Sequence, residues 1–404
     1  MMGVLRTPGK DAGARPEAVP GTAAGSAAVE STDISPEKKP RRGNVRVKDA
    51  GGSTPLARLV AGGAVALLLS ALATLVLSAR PLVAFTAFFT GPFVSAASFL
   101  SMIEQSAPLA LAALGVAVAF RAGHYNLGGE GQLYAGALAT AIAGLSFPAG
   151  AVGTIAALFA GMAGGMVVAL PPTFAKRRYG ADVLLVSILV SNGAIYIIDW
   201  AIGGPLRYGA GNLVAMSPLP AATLLPRLFP PSTMTPAPAV AASLCLAGWL
   251  YFERTRTGAM HDMAGRNPRF TVLHDWQVPA LSWLPLTVSG AMHGLAGAML
   301  VLGQRGTAIR GMSGGLGWSA IGVSLVAGSS PAAIPFAALL FAWLDAGSRQ
   351  AAILADMPSD AALAIKALVI LAISARPSFA ALARPDARLA VRFSGRDDGT
   401  EHRS

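Results

Sequence analysis

The sequence predicts an all-α membrane protein with about ten transmembrane helices. Of its 404 residues, 53% are hydrophobic and only 13% are charged. Apolar runs of about twenty residues, the length with which a helix crosses roughly 30 Å of hydrocarbon, recur along the chain. These runs are rich in Ala, Gly, Val and Leu, and small residues let membrane helices approach closely. The composition therefore excludes a soluble domain and favours a tightly packed helical bundle.

The N-terminal residues 1–55 are predicted to form a disordered cytoplasmic tail, because they combine Ala, Gly, Pro and mixed charge without apolar periodicity. Basic residues from Lys38 to Lys48 precede the first apolar run. They are expected to hold the N-terminus in the cytoplasm, and binding of anionic lipid is the alternative interpretation. A cleaved signal peptide is not favoured, since no short hydrophobic core lies near Met1.

The predicted membrane domain covers residues 56–375, and a second cytoplasmic tail covers 376–404. Each basic loop falls on the cytoplasmic side if both termini are cytoplasmic. The Pro-rich segment 202–238 is predicted to be external, and the eighth run is so short that a broken or half-length helix is expected there. The spans are predicted at about residues 56–79, 99–119, 133–147, 150–170, 183–201, 239–252, 278–302, 318–327, 331–346 and 361–375.

The formal net charge of +11 does not indicate a nucleic-acid partner, because the basic residues gather at the ends of apolar runs. The single cysteine, Cys245, excludes a disulfide within the chain. No GxxxxGK[ST] sequence occurs, so ATP hydrolysis of the P-loop kind is not expected of this polypeptide.

The polar segment 120–132, FRAGHYNLGGEGQ, interrupts two apolar runs. Polar groups at membrane depth are costly unless they face protein or a water-filled cavity, so a gate or a structural joint is predicted. Arg121 and Glu130 could pair with each other. The alternative is a rigid buried knot without solute contact. His124 has no evident acid or metal partner, and no catalytic residue, cofactor or metal is predicted. The candidate gate or path residues are Arg121, Asn126, Gly128, Glu130, Gln132 and, in the tenth span, Lys366.

The most charged internal segment, residues 253–277, is predicted to be a cytoplasmic docking surface, with an ordinary solvated loop as the alternative. Two His-Asp pairs, at 261–262 and 274–275, lack the further ligands that a metal site needs. Residues 119–131 and 308–316 show weak internal similarity, because both lead into a Gly-rich stretch after an apolar span. Inverted five-helix repeats are therefore predicted, as in many transporters.

Three segments resemble signatures of ABC transporter permeases of the simple-sugar and nucleoside type. Residues 109–140 resemble the family's FRAG…EGQ element, residues 314–331 its second Gly-rich signature, and residues 255–268 its cytoplasmic RTRxGxxxRAxGxNP element. The segment after Pro268 departs from the family, being bulkier from Arg269 onward. Lys366 also departs, standing where the family more often has a neutral amide.

The resemblance implies a type II importer-like permease of the bacterial inner membrane. Its implied partners are cytoplasmic ABC ATPase subunits, a second permease subunit (a paralogue or a copy of this chain), a periplasmic or lipid-anchored solute-binding protein and membrane lipid. The solute would be a nucleoside or a simple sugar. An ion-coupled secondary transporter is the alternative, and a membrane-embedded enzyme is less favoured. The implied ATPase-coupling residues are Gly258, Gly265, Asn267, Pro268 and Arg269.

Overall fold

A computed structural model describes residues 80–209, 212–267 and 279–355, together with 68, 69, 71, 72, 78, 364 and 367. The side chains of residues 279–282 are not described. Within these ranges the chain is helical and forms no β-strand, apart from an isolated bridge between Ala215 and Ile309. The helices are α1 (Pro81–Thr90), α2 (Ala96–Arg121), α3 (Gly129–Ser146), α4 (Ala151–Tyr179), α5 (Val183–Gly203), α6 (Ala237–Arg254), α7 (Arg256–Arg266), α8 (Pro279–Met299), α9 (Leu316–Val326) and α10 (Ile334–Ala355).

Several helices begin at a residue whose side chain caps the first turn. Ser95 Oγ accepts a hydrogen bond from the Ser98 backbone at 3.1 Å, and Asp182 Oδ1 accepts one from Leu184 at 2.9 Å. Such caps satisfy backbone N–H groups that have no partner within the helix. The starts of α2 and α5 are thus encoded locally.

Helix α4 corrects the predicted span ends. It was expected to span about residues 150–170, but it continues through Pro171 and Pro172 to Tyr179. Membrane helices tolerate proline because neighbouring groups can satisfy the carbonyls that proline leaves unpaired. The helix ends instead at Gly180, whose φ of +67° suits a left-handed C-cap, after three basic residues that favour a helix C-terminus.

Four described helices are long and apolar enough to cross a membrane: Ala96–Arg121, Ala151–Tyr179, Val183–Gly203 and Trp283–Arg305. In the first and last of these, 83% of the most apolar window is buried, against 22% in α4 and α5. Helices α2 and α8 are therefore central, whereas α4 and α5 present large apolar side chains outward. Most of the predicted first and tenth spans lies outside the described residues, as does Lys366.

Helices α3, α4 and α8 pack closely through glycine. A Cβ atom on Gly165 would overlap the carbonyl oxygen of Gly290, and one on Gly294 would overlap that of Gly161. Membrane helices associate through van der Waals packing, which close backbone approach strengthens. The abundance of small residues in the sequence thus corresponds to a tight three-helix contact.

The two ends of the bundle are distinguished by what they contact. At one end, hereafter the α7 end, α2 finishes at Arg121 against α7. At the other, hereafter the loop end, Glu104 near the start of α2 accepts two 2.8 Å hydrogen bonds from the backbone and hydroxyl of Thr235, just before α6. Helix α8 also finishes at the loop end in a π-helical turn, Leu300–Arg305. The 11-residue α9 that follows is the predicted half-length helix.

Candidate functional site

Glu130 joins the two Gly-rich segments that the sequence singled out. It lies in the first turn of α3 and is 7% exposed. Its carboxylate accepts a hydrogen bond from the Ser313 hydroxyl and, at 2.7 Å, from the backbone N–H of Gly317 in the first turn of α9. Helix N-termini carry partial positive charge and unpaired N–H groups. The starts of α3 and α9 therefore meet at one buried carboxylate.

The predicted pair between Arg121 and Glu130 is wrong. Arg121 Nε instead donates to Asp262 Oδ1 at 2.8 Å, and its Nη2 lies 3.4 Å from Glu253 Oε1. The guanidinium also stacks over the Phe252 ring, 4.3 Å from its centroid. Arg121 lies at the end of α2, facing α6 and α7, whereas Glu130 faces the interior and α9.

Asn126 and Gln132 form a buried amide pair, each 1% exposed. Asn126 Nδ2 donates to Gln132 Oε1 at 3.1 Å and to Ser289 Oγ at 3.0 Å, and Asn126 Oδ1 accepts from the Gly128 backbone at 3.0 Å. At Gly128, a Cβ atom would lie 2.9 Å from the Ser187 carbonyl oxygen. These polar groups are engaged with protein, which favours a structural joint over direct solute contact at these positions.

Helix α7 lies against the ends of α2 and α6. Its N-cap, Thr255, accepts a 3.0 Å hydrogen bond from the backbone of Gly258. A Cβ atom on Gly258 would overlap the Tyr251 carbonyl oxygen, and one on Gly265 would overlap that of Arg121. Both glycines thus stand where only a glycine lets the backbones approach so closely.

The remaining predicted coupling residues follow α7. The backbone N–H of Asn267 donates to the Met263 carbonyl at 2.8 Å and so ends the helix. Pro268 and Arg269 lie outside the described residues. On the buried face of α7, the Tyr251 hydroxyl and His261 Nδ1 are 2.6 Å apart, which fixes α7 to α6 at a further point.

A polar cavity of about 210 Å³ lies at the loop end of the bundle, and Ser313, whose hydroxyl donates to Glu130, forms part of its lining. Its polar lining comes from the starts of α2 and α9, the end of α8 and the middle of α10. This cavity has no distinctive signal in the sequence, because polar residues near span ends are typical of membrane interfaces. The charged and amide residues of its described lining are Gln105, Gln304, Arg305, Asp345 and Arg349.

A buried histidine also escaped the sequence analysis. His293 in α8 is fully buried, and its Nδ1 lies 2.7 Å from the Ser289 carbonyl oxygen, leaving Nε2 directed at Gly129. A single His within an apolar run carries no spacing signal that would have revealed it. The part of the chain that the structure describes contains no group of three or more His, Cys, Asp or Glu residues that could hold a metal ion.

Comparison with known proteins gives consistent matches. A family model described as a branched-chain amino acid transport system permease component matches residues 98–374. A probable riboflavin import permease protein of Treponema pallidum is 30% identical over 306 residues, 74% of this chain and 80% of that protein. A glucose ABC transporter permease protein of Haloferax volcanii is 27% identical over 79% of this chain and 84% of its own length.

A guanosine ABC transporter permease protein of Bacillus subtilis is 28% identical, covering 67% of this chain and 78% of that protein. No solved structure matches the chain. The family match spans most of the helical part, including both Gly-rich segments and α7. The chain therefore belongs to the family of ABC transporter permeases, as its three motifs predicted, and is a multi-pass membrane protein.

Proposed function

We propose that this chain is the permease subunit of an importer that moves a nucleoside, a flavin or a simple sugar across the bacterial inner membrane. ABC permease subunits are not themselves enzymes, and separate ATPase subunits supply the energy. The observation that carries the proposal is α7, a polar helix held against the end of α2 by an ion pair and a close glycine contact. The printed names of the relatives support the solute classes, and none supports the ion-coupled alternative.

The proposed orientation places the α7 end in the cytoplasm together with both termini. The basic residues at the end of α4, Lys176 to Arg178, precede α5, whose first residues lie near segment 122–128. Basic residues favour the cytoplasmic side. The loop end carries the Pro-rich segment and would face the periplasm, where a solute-binding protein docks.

An inverted repeat is supported by the two interrupted helix pairs. Helix α2 ends at the α7 end, and the chain turns back through residues 122–128 into α3. Helix α8 ends at the loop end, where Arg310 lies 3.7 Å from Asp199, and the chain then enters α9. The two pairs run in opposite directions and their inner helices meet at Glu130. Broken helices in matching positions of inverted halves are a mark of transporters.

The proposed coupling route runs from α7 to the interior through consecutive contacts. An ATPase moving α7 would displace Arg121 and, through the close approach of Gly265, the segment that begins at Gly123. That segment leads directly into Glu130 and so to the start of α9. ATP binding would thereby shift the population between outward-open and inward-open states.

The test is solute uptake by proteoliposomes that contain this permease with its ATPase and binding protein. Uptake should require ATP and should stop when the ATPase carries a substitution of its catalytic glutamate. A protonophore and a sodium ionophore, which discharge ion gradients, should leave uptake unchanged. Uptake that continues without ATP and collapses with the ion gradient would contradict the proposal in favour of a secondary transporter.

A further inference from the structure

An apolar crevice of about 250 Å³ lies between α4, the start of α6 and the end of α8. Helix α4 packs on α8 and α6 packs on α2, and the crevice lies between these two pairs. Leu295 and Met299 of α8 are buried and form its floor, whereas Phe159 of α4 and Val240 of α6 are exposed at its edges. The crevice therefore opens sideways from the bundle, toward the hydrocarbon of the membrane.

The crevice begins at the loop end and runs inward along α4. On that helix its lining extends from Ile155 to Met162, which corresponds to about 10 Å at a rise of about 1.5 Å per residue. One leaflet accounts for about half of the roughly 30 Å hydrocarbon core, so the crevice follows about two thirds of one leaflet. All the described residues of its lining are apolar. A polar solute would find no hydrogen-bond partner there, whereas an acyl chain needs none.

An outer cavity of about 690 Å³ adjoins the crevice at the loop end, and Leu225 lines both. Arg227 also lines this outer cavity, and the backbone on each side of it is fixed. The Leu225 N–H donates to the Leu302 carbonyl at 3.1 Å, at the end of α8. The Leu228 N–H donates to the Met234 carbonyl at 2.8 Å, shortly before α6. Arg227 is therefore held at the mouth of the crevice by both of the helices that border it.

The charge of Arg227 is not neutralised by the described part of the protein. Its guanidinium forms no hydrogen bond or ion pair with another described residue. No Asp or Glu is among the described residues that line the crevice or the outer cavity. A guanidinium pairs well with a phosphate group, to which it can donate two parallel hydrogen bonds. A free cation at the mouth of an apolar crevice matches an amphiphile with an anionic head.

We propose that the crevice and the outer cavity together bind one anionic phospholipid, such as phosphatidylglycerol. One acyl chain occupies the crevice, and the phosphate group binds Arg227. Phosphatidylethanolamine matches the site less well, because its ammonium group meets no carboxylate in the described lining. In the proposed orientation the lipid belongs to the periplasmic leaflet. The site shares no lining residue with the polar cavity beside Ser313, and the inference does not depend on which solute is imported.

The test is native mass spectrometry of the purified full-length permease in complex with its ATPase. The complex is stripped of lipid and titrated with dioleoyl phosphatidylglycerol or dioleoyl phosphatidylethanolamine. The first phosphatidylglycerol should bind roughly fivefold more tightly than the first phosphatidylethanolamine, the effect of one arginine on one anionic headgroup. Glycerol phosphate should not displace the lipid, because it has the anionic head without the chain.

Variants distinguish the headgroup contact from the chain contact. Arg227→Gln should bind the two lipids equally. Arg207→Gln is the matched control, because Arg207 is an exposed arginine of the same Pro-rich segment and lines neither cavity, so its preference should remain. Val240→Trp should fill the crevice and weaken both lipids alike, whereas Leu246→Trp, exposed on the same helix outside the crevice, should not. Co-purification of the ATPase verifies that each variant is folded.

Three results would each overturn the proposal: equal affinity of the unmodified protein for the two lipids, an unchanged preference in Arg227→Gln, or displacement of the lipid by glycerol phosphate. Loss of a second permease subunit from the Val240→Trp complex, with no lipid preference in the unmodified protein, would overturn it in favour of a subunit interface. These results leave the proposed importer function untouched, since that function is tested by the ATP dependence of uptake.

Discussion

Asp262 provides an internal comparison for the coupling route, because two arginines contact its carboxylate in different settings. Arg121 reaches it from α2 with a 2.8 Å contact, and the two side chains are only 13% and 17% exposed. Arg266 reaches it from within α7, also at 2.8 Å, but is 75% exposed. The first contact joins α7 to the membrane helices, whereas the second joins α7 only to itself. Substituting each arginine in turn therefore distinguishes two effects: loss of the contact between α7 and the membrane helices, and loss of stability within α7 itself.

The magnitudes follow from burial. A hydrogen bond to a charged group contributes about 1.5–3 kcal/mol to stability, and the Arg121 contact is sufficiently buried for that range to apply. An exposed i,i+4 pair such as the one with Arg266 contributes about 0.3–0.5 kcal/mol. Because about 1.4 kcal/mol corresponds to a factor of ten, Arg121→Gln should shift the balance toward a released α7 roughly ten- to hundredfold. Arg266→Gln should shift it by roughly twofold.

The assay is the ratio of solute taken up to ATP hydrolysed in proteoliposomes containing the complete transporter. Arg121→Gln should lower this ratio at least several-fold while ATP hydrolysis continues, since the ATPase itself is unaltered. Arg266→Gln should keep a ratio near that of the unmodified protein. The reasoning would be refuted if both variants behaved alike, or if Arg121→Gln reduced uptake and hydrolysis in the same proportion.

Three further predictions concern packing and buried carboxylates. Glu130→Gln should lower the thermal unfolding midpoint, since a neutral amide oxygen would replace the charged acceptor at the start of α9, a loss of about 1 kcal/mol; an unchanged midpoint would contradict the junction. Gly294→Ala should overpack against α4 and lower the free energy of unfolding by about 1–3 kcal/mol, and the same midpoint should fall with it. The control Gly193→Ala, with open space around it, should leave the midpoint unchanged. Glu104→Ala should speed proteolysis of the loop between α5 and α6, because it removes both bonds to Thr235; Thr235→Ser keeps the hydroxyl and should leave the rate unchanged.

The positions of the helices were largely predictable from the sequence, because hydrophobicity and length determine what crosses a membrane. The half-length α9 followed from its short apolar run alone. The end of α4 was not predictable, since two consecutive prolines normally terminate a helix in water. In a bundle, the signal that ends α4 is Gly180 rather than Pro171.

Segment 120–132 and the segment that forms α7 could be singled out from the sequence, but the contacts of their residues could not. Segment 120–132 was recognised because polar residues interrupt apolar runs, and Gly258 and Gly265 do lie where α7 approaches the bundle. The hydrogen-bond partners of these residues could not be predicted. Arg121 and Glu130 were paired by their closeness in sequence, yet their partners lie 141 and 183 residues away along the chain. Only the tertiary approach of α7 and α9 brings those partners within reach.

The actual partners of Arg121 and Glu130 show that segment 120–132 contacts two different helices, one at each end. Had Arg121 and Glu130 neutralised each other, segment 120–132 would be a self-contained knot, insensitive to α7 and to α9. Instead, Arg121 binds the helix that faces the proposed ATPase, and Glu130 binds the helix that borders the cavity. Between them, Asn126 and Gln132 stiffen the segment through their mutual hydrogen bonds. A rigid segment with one charged contact at each end would pass a movement of α7 on to α9. A segment whose charges paired with each other would not. In the proposed coupling route, these polar residues link α7 to the helix that borders the cavity.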